Sequence, residues 1–225
     1  NLVVVSASKF EQKLSDVVVS MNVLSPQFIT QTNKLTLDDA IEQVPGVTVI
    51  DGQANIRGGS GFSYGAGSRV LVLVDDMPLL AADANDVKWS FLPIESMAQT
   101  EVIKGASSAL FGSSALNGVI NLRTQYATNT PATHAQMFSG IYDIPANYRF
   151  GTTHNKSFIS AANFNHAQKF GALDLVLGGQ VFKDDGYRLG EYEERIRGNV
   201  GLRYSFKKIA GLQTAVKVNT QKALG

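Results

Sequence analysis

A glycine-punctuated stretch at residues 101–121 constrains this chain more than any other part of it: E-V-I-K-G-A-S-S-A-L-F-G-S-S-A-L-N-G-V-I-N. Glu101, Val102, Ile103 and Lys104 make a short run with β-branched residues, and Gly105 stops it. Ser107, Ser108, Ala109, Leu110 and Phe111 supply one helical turn, with a serine hydroxyl available to cap it. Gly112 breaks the turn, and a strand restarts at Gly118 on Val119, Ile120 and Leu122. The stretch therefore predicts strand, turn and strand within 21 residues.

Composition narrows the class. The chain has 225 residues, enough for one large domain or two small ones. Its 20 basic and 19 acidic residues nearly cancel, which argues against a nucleic-acid binder, where a basic excess is expected. There is no cysteine, so disulfides and thiolate metal sites are excluded. No apolar run approaches the length of a membrane helix, residues 70–74 being about the longest. A barrel wall leaves no such run, because its strands alternate. No basic-then-apolar leader opens the chain, so an export signal is expected to have been removed or left out.

The 101–121 stretch closely resembles the end of the plug domain of TonB-dependent outer-membrane receptors, which reads E-V-I-K/R-G-P-x-S-A-L-Y-G-x-x-A-x-G-G-V-I-N. Ala106 stands for the usual Pro, Phe111 for the usual Tyr and Asn117 for the first Gly of the pair; asparagine tolerates positive φ better than most residues. Other stretches carry the same resemblance. Residues 35–47 are similar to S-L-x-D-A-L-x-x-V-P-G-V. Residues 69–78 are similar to R-V-L-V-L-I-D-G-V-P, with Asp76 in place of a turn glycine. Trp89 with Pro93, Ile94 and Glu95 is similar to W-x-x-I-P-x-x-x-I-E.

The resemblance implies an α+β plug domain at residues 17–124, a linker at 125–133 and the first antiparallel strands of a transmembrane β-barrel at 134–225. Family barrels have roughly 22 strands, of which about five are expected here. Five strands cannot close around a plug, so the chain is expected to be an N-terminal portion of a longer protein.

Residues 1–16 comprise a TonB-box-like segment and a polar connector. The opening N-L-V-V-V-S-A-S is similar to the T-L/I-V-V-T-A of family members, and Leu2, Val3, Val4, Val5, Ser6 and Ala7 are the candidates for binding TonB. A short β-rich segment suits addition to a partner as an extra strand. An ordinary edge strand of the first domain is the other reading of the same residues.

Within the plug, a weakly alternating strand is expected at residues 17–24. Ser25 is placed to cap a helix with Pro26 at its first position. A second helix begins at Thr36, with the threonine as cap and Asp38 and Asp39 favouring its positive end. Pro45 and Gly46 end it, and a strand follows at residues 47–50. The apolar run at 70–74 belongs in a sheet covered on both sides.

The glycine-rich turn from Asn55 to Gly61 fits neither G-x-G-x-x-G nor the P-loop pattern, so nucleotide binding is rejected. In the family the Arg of I-R-G is a buried plug residue that pairs with barrel glutamates. That role is carried to Arg57, and Lys104 occupies a second such basic position. A buried arginine needs a partner, since its charge cannot be neutralised. Asp75 and Glu95 are read as turn and cap carboxylates rather than catalytic ones. Phe62, Tyr64, Asp83, Asn85 and Asp86 lie in loops that face outward in the family and are the candidate ligand contacts.

After Thr124 the pattern becomes alternating. On the run at 194–206, Ile196, Val200, Leu202, Tyr204 and Phe206 share one face with Gly198. Arg195, Arg197, Asn199, Arg203 and Ser205 share the other with Gly201. Leu173, Leu175, Leu177 and Val181 share a face, and Leu212, Val216 and Val218 alternate with Gln213, Lys217 and Asn219. Weaker strands are expected around 134–141 and 158–164. A soluble sheet can alternate in this way, with one face toward a core. Three arginines on one strand face favour a barrel instead, apolar toward lipid and polar toward the lumen. Tyr187 and Tyr192 fall at one end of the strands, Tyr204 and Phe206 at the other, as interfacial girdles would place them.

The resemblance implies TonB-dependent transport of a scarce ligand across the bacterial outer membrane, with plug and N-terminus on the periplasmic side. TonB, energised by ExbB and ExbD, would move the plug through the N-terminal box. A siderophore, haem, cobalamin or a saccharide are the ligand classes left open, and outer-membrane lipid would surround the wall. No cofactor, metal site or catalytic residue is expected: the three histidines lack ligand spacing, and the chain shows no nucleophile–base pair. The alternative is a receptor of this fold that signals without importing. A soluble α/β enzyme with a trailing β-domain is the third reading, and it gives no reason for the arginine-lined strand.

Overall fold

The structure is a computed structural model that describes residues 3–4, 12–13, 19–25, 27–28, 36–50, 52–59, 69–79, 87, 89, 92, 96–105, 108–112, 115–143, 156–188, 190–206 and 212–224. It divides into two compact units, Asn1–Thr124 and Gln125–Gly225.

The N-terminal unit opens with two short strands, β1 (Val3–Val4) and β2 (Gln12–Lys13), paired antiparallel. Its body comprises β3 (Met21–Leu24), α1 (Leu37–Ile41), β4 (Val47–Ile50), β5 (Gln53–Ile56), β6 (Val70–Val74), β7 (Met77–Pro78), β8 (Met97–Lys104), α2 (Ser108–Phe111) and β9 (Gly118–Thr124). The main sheet has the order β3-β8-β9-β6-β7, and β4 and β5 form a separate hairpin. Only β6 and β9 run parallel within it; the other pairs are antiparallel.

The first expected helix is capped as anticipated: the Phe28 amide donates to Ser25 Oγ at 3.2 Å, and Gln27 and Phe28 are helical. The second differs in one respect. Thr36 takes the extended N-cap conformation at φ −127°, but its side chain makes no capping hydrogen bond. Asp38 and Asp39 lie in the first turn, where the helix's free amides favour negative charge. Five residues are too few for a helix to persist alone, so packing must hold it. Leu37 and Ile41 are fully buried, each worth roughly 1.5–3 kcal/mol.

The sheet is covered on both sides, as the apolar run at β6 requires. Val70 and Val72 join Val102, Ile120, Leu122 and Trp89 in one cluster with α1. Leu71 and Leu73 join Ile103, Val119 and Ala115 in the other, with Phe111 against it.

Glycine is required where β9 begins. A Cβ on Gly118 would collide with the Ile103 carbonyl oxygen and sit 2.7 Å from Ile56 Cδ1. Asn117 makes no use of its tolerance of positive φ: among the described residues the non-glycines with positive φ are Arg57, Asp75 and Asp76. Asp75 (φ +48°) and Asp76 (φ +68°) form the two-residue turn between β6 and β7. Two left-handed residues match the twist of a tight hairpin, a conformation that glycine adopts readily.

The C-terminal unit is one antiparallel sheet in chain order: β10 (Ala132–Tyr142), β11 (Ser157–Phe170), β12 (Leu173–Asp184), β13 (Glu193–Ser205) and β14 (Gln213–Leu224). Gly171 at φ +62° and Ala172 turn β11 into β12, while residues 143–156 and 185–192 make the longer connections at the other end. No described helix is long and apolar enough to cross a membrane, which says nothing of strands.

Candidate functional site

Alternation becomes a two-faced wall once the strands pair. On one face Leu177, Val200 and Val218 lie side by side in register, as do Leu175, Leu202 and Val216. On the other, Asn163, Gln180, Arg197 and Gln221 form one row across four strands. Asn165, Asn199 and Asn219 belong to the next row, with Gly178 between the first two. On β13 exposure follows these faces in the sense opposite to a water-soluble sheet, Arg195 being 1% exposed and its neighbour Ile196 61%, whereas the edge strand β14 is exposed on both faces. Arg195 lies 4.7 Å over the Phe182 ring and 3.1 Å from a Glu193 carboxylate oxygen. Apolar outside and polar inside is the arrangement a strand needs between lipid and a wet lumen. Tyr204 and Phe206 meet edge to face at 5.0 Å at the short-turn end, and Tyr187 and Tyr192 are exposed at the other.

In the N-terminal unit the two expected basic residues converge. Arg57 follows the last residue of β5 at φ +56°; its amide donates to Gly46 O at 2.7 Å and Nη2 donates to Ser20 Oγ at 2.9 Å. Lys104 ends β8; its amide donates to Ser20 O at 2.8 Å and Nζ donates to Pro45 O at 2.6 Å. The Arg57 guanidinium therefore rests on the Ser20 hydroxyl and the Lys104 ammonium on the Pro45 carbonyl, with both residues also tied by their amides, to Gly46 and Ser20. Burial, and then the charge of Arg57, hold the Lys104 ammonium below its ordinary pKa. Arg57 is exposed in this chain, where it stands in the turn beyond β5. Neither cation has a carboxylate partner among the described residues.

Sequence reasoning missed a buried polar network at the other end of the same sheet. Glu101 and Asn121 are fully buried and directly opposed on β8 and β9, and Gln99 opposes Arg123 one step along. Arg123 donates through Nη1 and Nη2 to the two Asp76 oxygens at 2.7 and 3.1 Å, and its Nε lies 4.0 Å from Glu101 Oε2. Asn121 Nδ2 donates to Asp76 Oδ1 at 3.0 Å, and Gln99 Nε2 to Glu101 Oε1 at 2.6 Å. Asp75 plays the terminating role read from sequence: its oxygens accept from Thr124 N at 3.0 Å and Thr124 Oγ1 at 2.7 Å. The only advance signal was a polar residue at every second position of two apolar strands, and without the register it points nowhere.

Several expected residues fall elsewhere. Val3 and Val4 pair with Lys13 and Gln12, while Leu2, Val5, Ser6 and Ala7 lie outside the described residues. So do Phe62, Tyr64, Asp83, Asn85 and Asp86, the candidate ligand contacts, and Glu95. No group of three or more described His, Asp or Glu residues is placed to hold a metal ion.

Comparison with known proteins agrees with this architecture. Residues 13–119 match the family model of the TonB-dependent receptor plug domain. The chain is 35% identical over 152 residues to the vitamin B12 transporter BtuB of Vibrio vulnificus strain CMCP6, covering 67% of this chain and 25% of that protein. It is 32% identical over 203 residues to BtuB of strain YJ016, covering 84% of this chain and 29% of that protein. The siderophore receptor PiuA of Acinetobacter baumannii superposes with a TM-score of 0.68 at 19% identity, over 99% of this chain and 29% of that one. PirA of Pseudomonas aeruginosa does so with 0.66 at 20% identity, over 90% and 35%. These matches span a quarter to a third of proteins that are transporters and receptors, not enzymes. With a matched plug and an inverted, two-faced sheet, the chain belongs to the TonB-dependent receptors, as a plug domain followed by antiparallel strands of the barrel.

Proposed function

We propose that the whole protein is a TonB-dependent transporter that imports a scarce ligand across the bacterial outer membrane. The observation that carries this reading is the inversion at Arg195 and Ile196, one buried and the other 61% exposed on adjacent positions of β13. A wall built that way has its use in a bilayer, around a polar lumen. The long connections face outward and the short-turn end faces the periplasm, with the N-terminal segment.

TonB engages residues 2–7 by strand addition and pulls on the plug, with ExbB and ExbD supplying the energy. Arg57 and Lys104 pair with glutamates of the complete barrel and hold the resting plug. Their lack of a described acidic partner, beside a depressed Lys104 pKa, supports this: two close cations relieve their repulsion by gaining carboxylates. Phe62, Tyr64, Asp83, Asn85 and Asp86 contact the ligand on sequence grounds. Cobalamin is the first ligand to test, because the quoted sequence relatives are vitamin B12 transporters.

The test is uptake of labelled cobalamin by cells making the full-length protein, with and without TonB, and with proline at Val4. Proline removes an amide that strand addition uses. Import should fall more than tenfold in both cases, while surface binding stays unchanged. Import that persists without TonB would overturn the reading; surface binding without import in any strain would favour a non-importing receptor. Absence of cobalamin binding would remove only the ligand assignment, and ferric siderophores would be tried next.

A further inference from the structure

The first residues after the plug are fastened to the wall by a cluster that neither transport nor ligand binding explains. The Arg203 guanidinium lies 4.2 Å over the Tyr126 ring, and the Lys217 ammonium lies 5.8 Å from the same ring. Arg203 is itself fixed: Nε and Nη2 both donate to Asp174 Oδ2, at 2.9 and 2.5 Å. Asp174 is 3% exposed and also has Lys169 Nζ at 3.7 Å from its other oxygen. The cluster thus joins Tyr126 to four consecutive strands, β11 through β14, at their short-turn end. Downstream, Ala127 is buried and Thr128 Oγ1 donates to Thr130 O at 2.8 Å, so the segment keeps its course to β10.

Upstream, the plug ends just as firmly. Thr124 is held through its amide and hydroxyl by Asp75, and Arg123 by Asp76. Gln125 alone separates the last residue fastened within the plug from the first fastened to the wall.

We propose that Tyr126 and its two cations form a mechanical stop. Tension applied at the N-terminus remodels the plug only as far as Thr124; it then meets a ring clamped to four hydrogen-bonded strands and goes no further. The stop keeps the barrel's first strand in place and leaves the plug a fixed end from which to refold. A ring held by cations suits this role: the attraction tolerates small changes of angle, which a bidentate salt bridge does not. The inference rests on the reading that the plug is moved by a pull on its N-terminus.

The test is single-molecule pulling on the full-length receptor in a bilayer, through a cysteine placed at Asn1, since this chain has none of its own. Wild-type extension should run to roughly 400 Å, the reach of the N-terminal unit's extended backbone, and then halt. Tyr126→Ala should shorten the halt at constant force about tenfold, and extension should continue into β10. Tyr126→Phe keeps the π face and should keep the halt. Tyr126→Leu, which keeps apolar bulk, should lose it, and it replaces the alanine variant if that one does not fold. A halt equally long in wild type and in Tyr126→Ala or Tyr126→Leu would overturn the proposal. Because the handle is covalent, this result does not depend on TonB, and a failure of uptake in the cobalamin experiment is a separate outcome.

Discussion

Arg123 grips Asp76 with both terminal nitrogens, at 2.7 and 3.1 Å, across 47 residues of chain. Asp76 stands in a left-handed turn at φ +68°, a conformation glycine adopts without cost, so the carboxylate is retained at the expense of backbone strain. Asp76→Ala keeps the strain and loses the pair. It should destabilise the plug by about 2–3 kcal/mol, below the full value for a buried pair because the aspartate side chain is 38% exposed. Asp76→Gly relieves the turn and should cost about 1 kcal/mol less. Amide hydrogen exchange of β6 and β9 in the full-length protein measures both.

Gly118 should tolerate no side chain. Gly118→Ala places a methyl group against Ile103 O and Ile56 Cδ1, between two strands that cannot part without breaking the ladder. The expected cost is about 3 kcal/mol or more, read as loss of folded receptor from the membrane fraction.

The basic pair has a pH signature. In this chain burial and Arg57 lower the Lys104 pKa from 10.5, so the fold disfavours the charged form. That penalty acts below the folded pKa and lifts as pH rises through it toward 10.5, so stability would grow over that window relative to Lys104→Met. A glutamate against Lys104 reverses the sign: a raised pKa contributes stability present below 10.5 and lost as pH climbs through the folded value. The proposed pairing predicts the second behaviour for the full-length receptor. Thermal unfolding of wild type and Lys104→Met from about pH 8 to 11 decides between them.

The two faces of the wall should answer oppositely to charge. Val200→Arg sets a guanidinium in the row of Leu177 and Val218 and should cost about 2–4 kcal/mol of barrel stability in a bilayer. Asn219→Arg, on the other face, should change it by less than about 1 kcal/mol. Denaturant unfolding from lipid vesicles compares them, and equal costs would mean the faces have been assigned wrongly.

Much of this was legible before any coordinates. Gly105, Gly112 and Gly118 bounded their elements, Ser25 announced its helix, and the alternation at Arg195 to Ser205 gave a strand with the correct faces. These are short-range features: a turn's φ, a cap's hydroxyl and a period of two are encoded within a few residues. Thr36 shows the limit even there, since its backbone took the cap geometry while its side chain made no capping hydrogen bond.

Pairing was different. That Glu101 opposes Asn121, that Arg123 reaches Asp76, and that Arg57 and Lys104 meet at Ser20 depend on which strands lie side by side and in what register. Register is chosen by the burial of whole faces, summed over residues far apart in the chain, and one step of slip would turn every polar residue of β9 into the opposite cluster. The sequence by itself determined the elements, the family and the two-faced character of the wall. Only the tertiary structure decided which charges meet, because the free energy that selects those partners belongs to the assembled sheets and to no single stretch of chain.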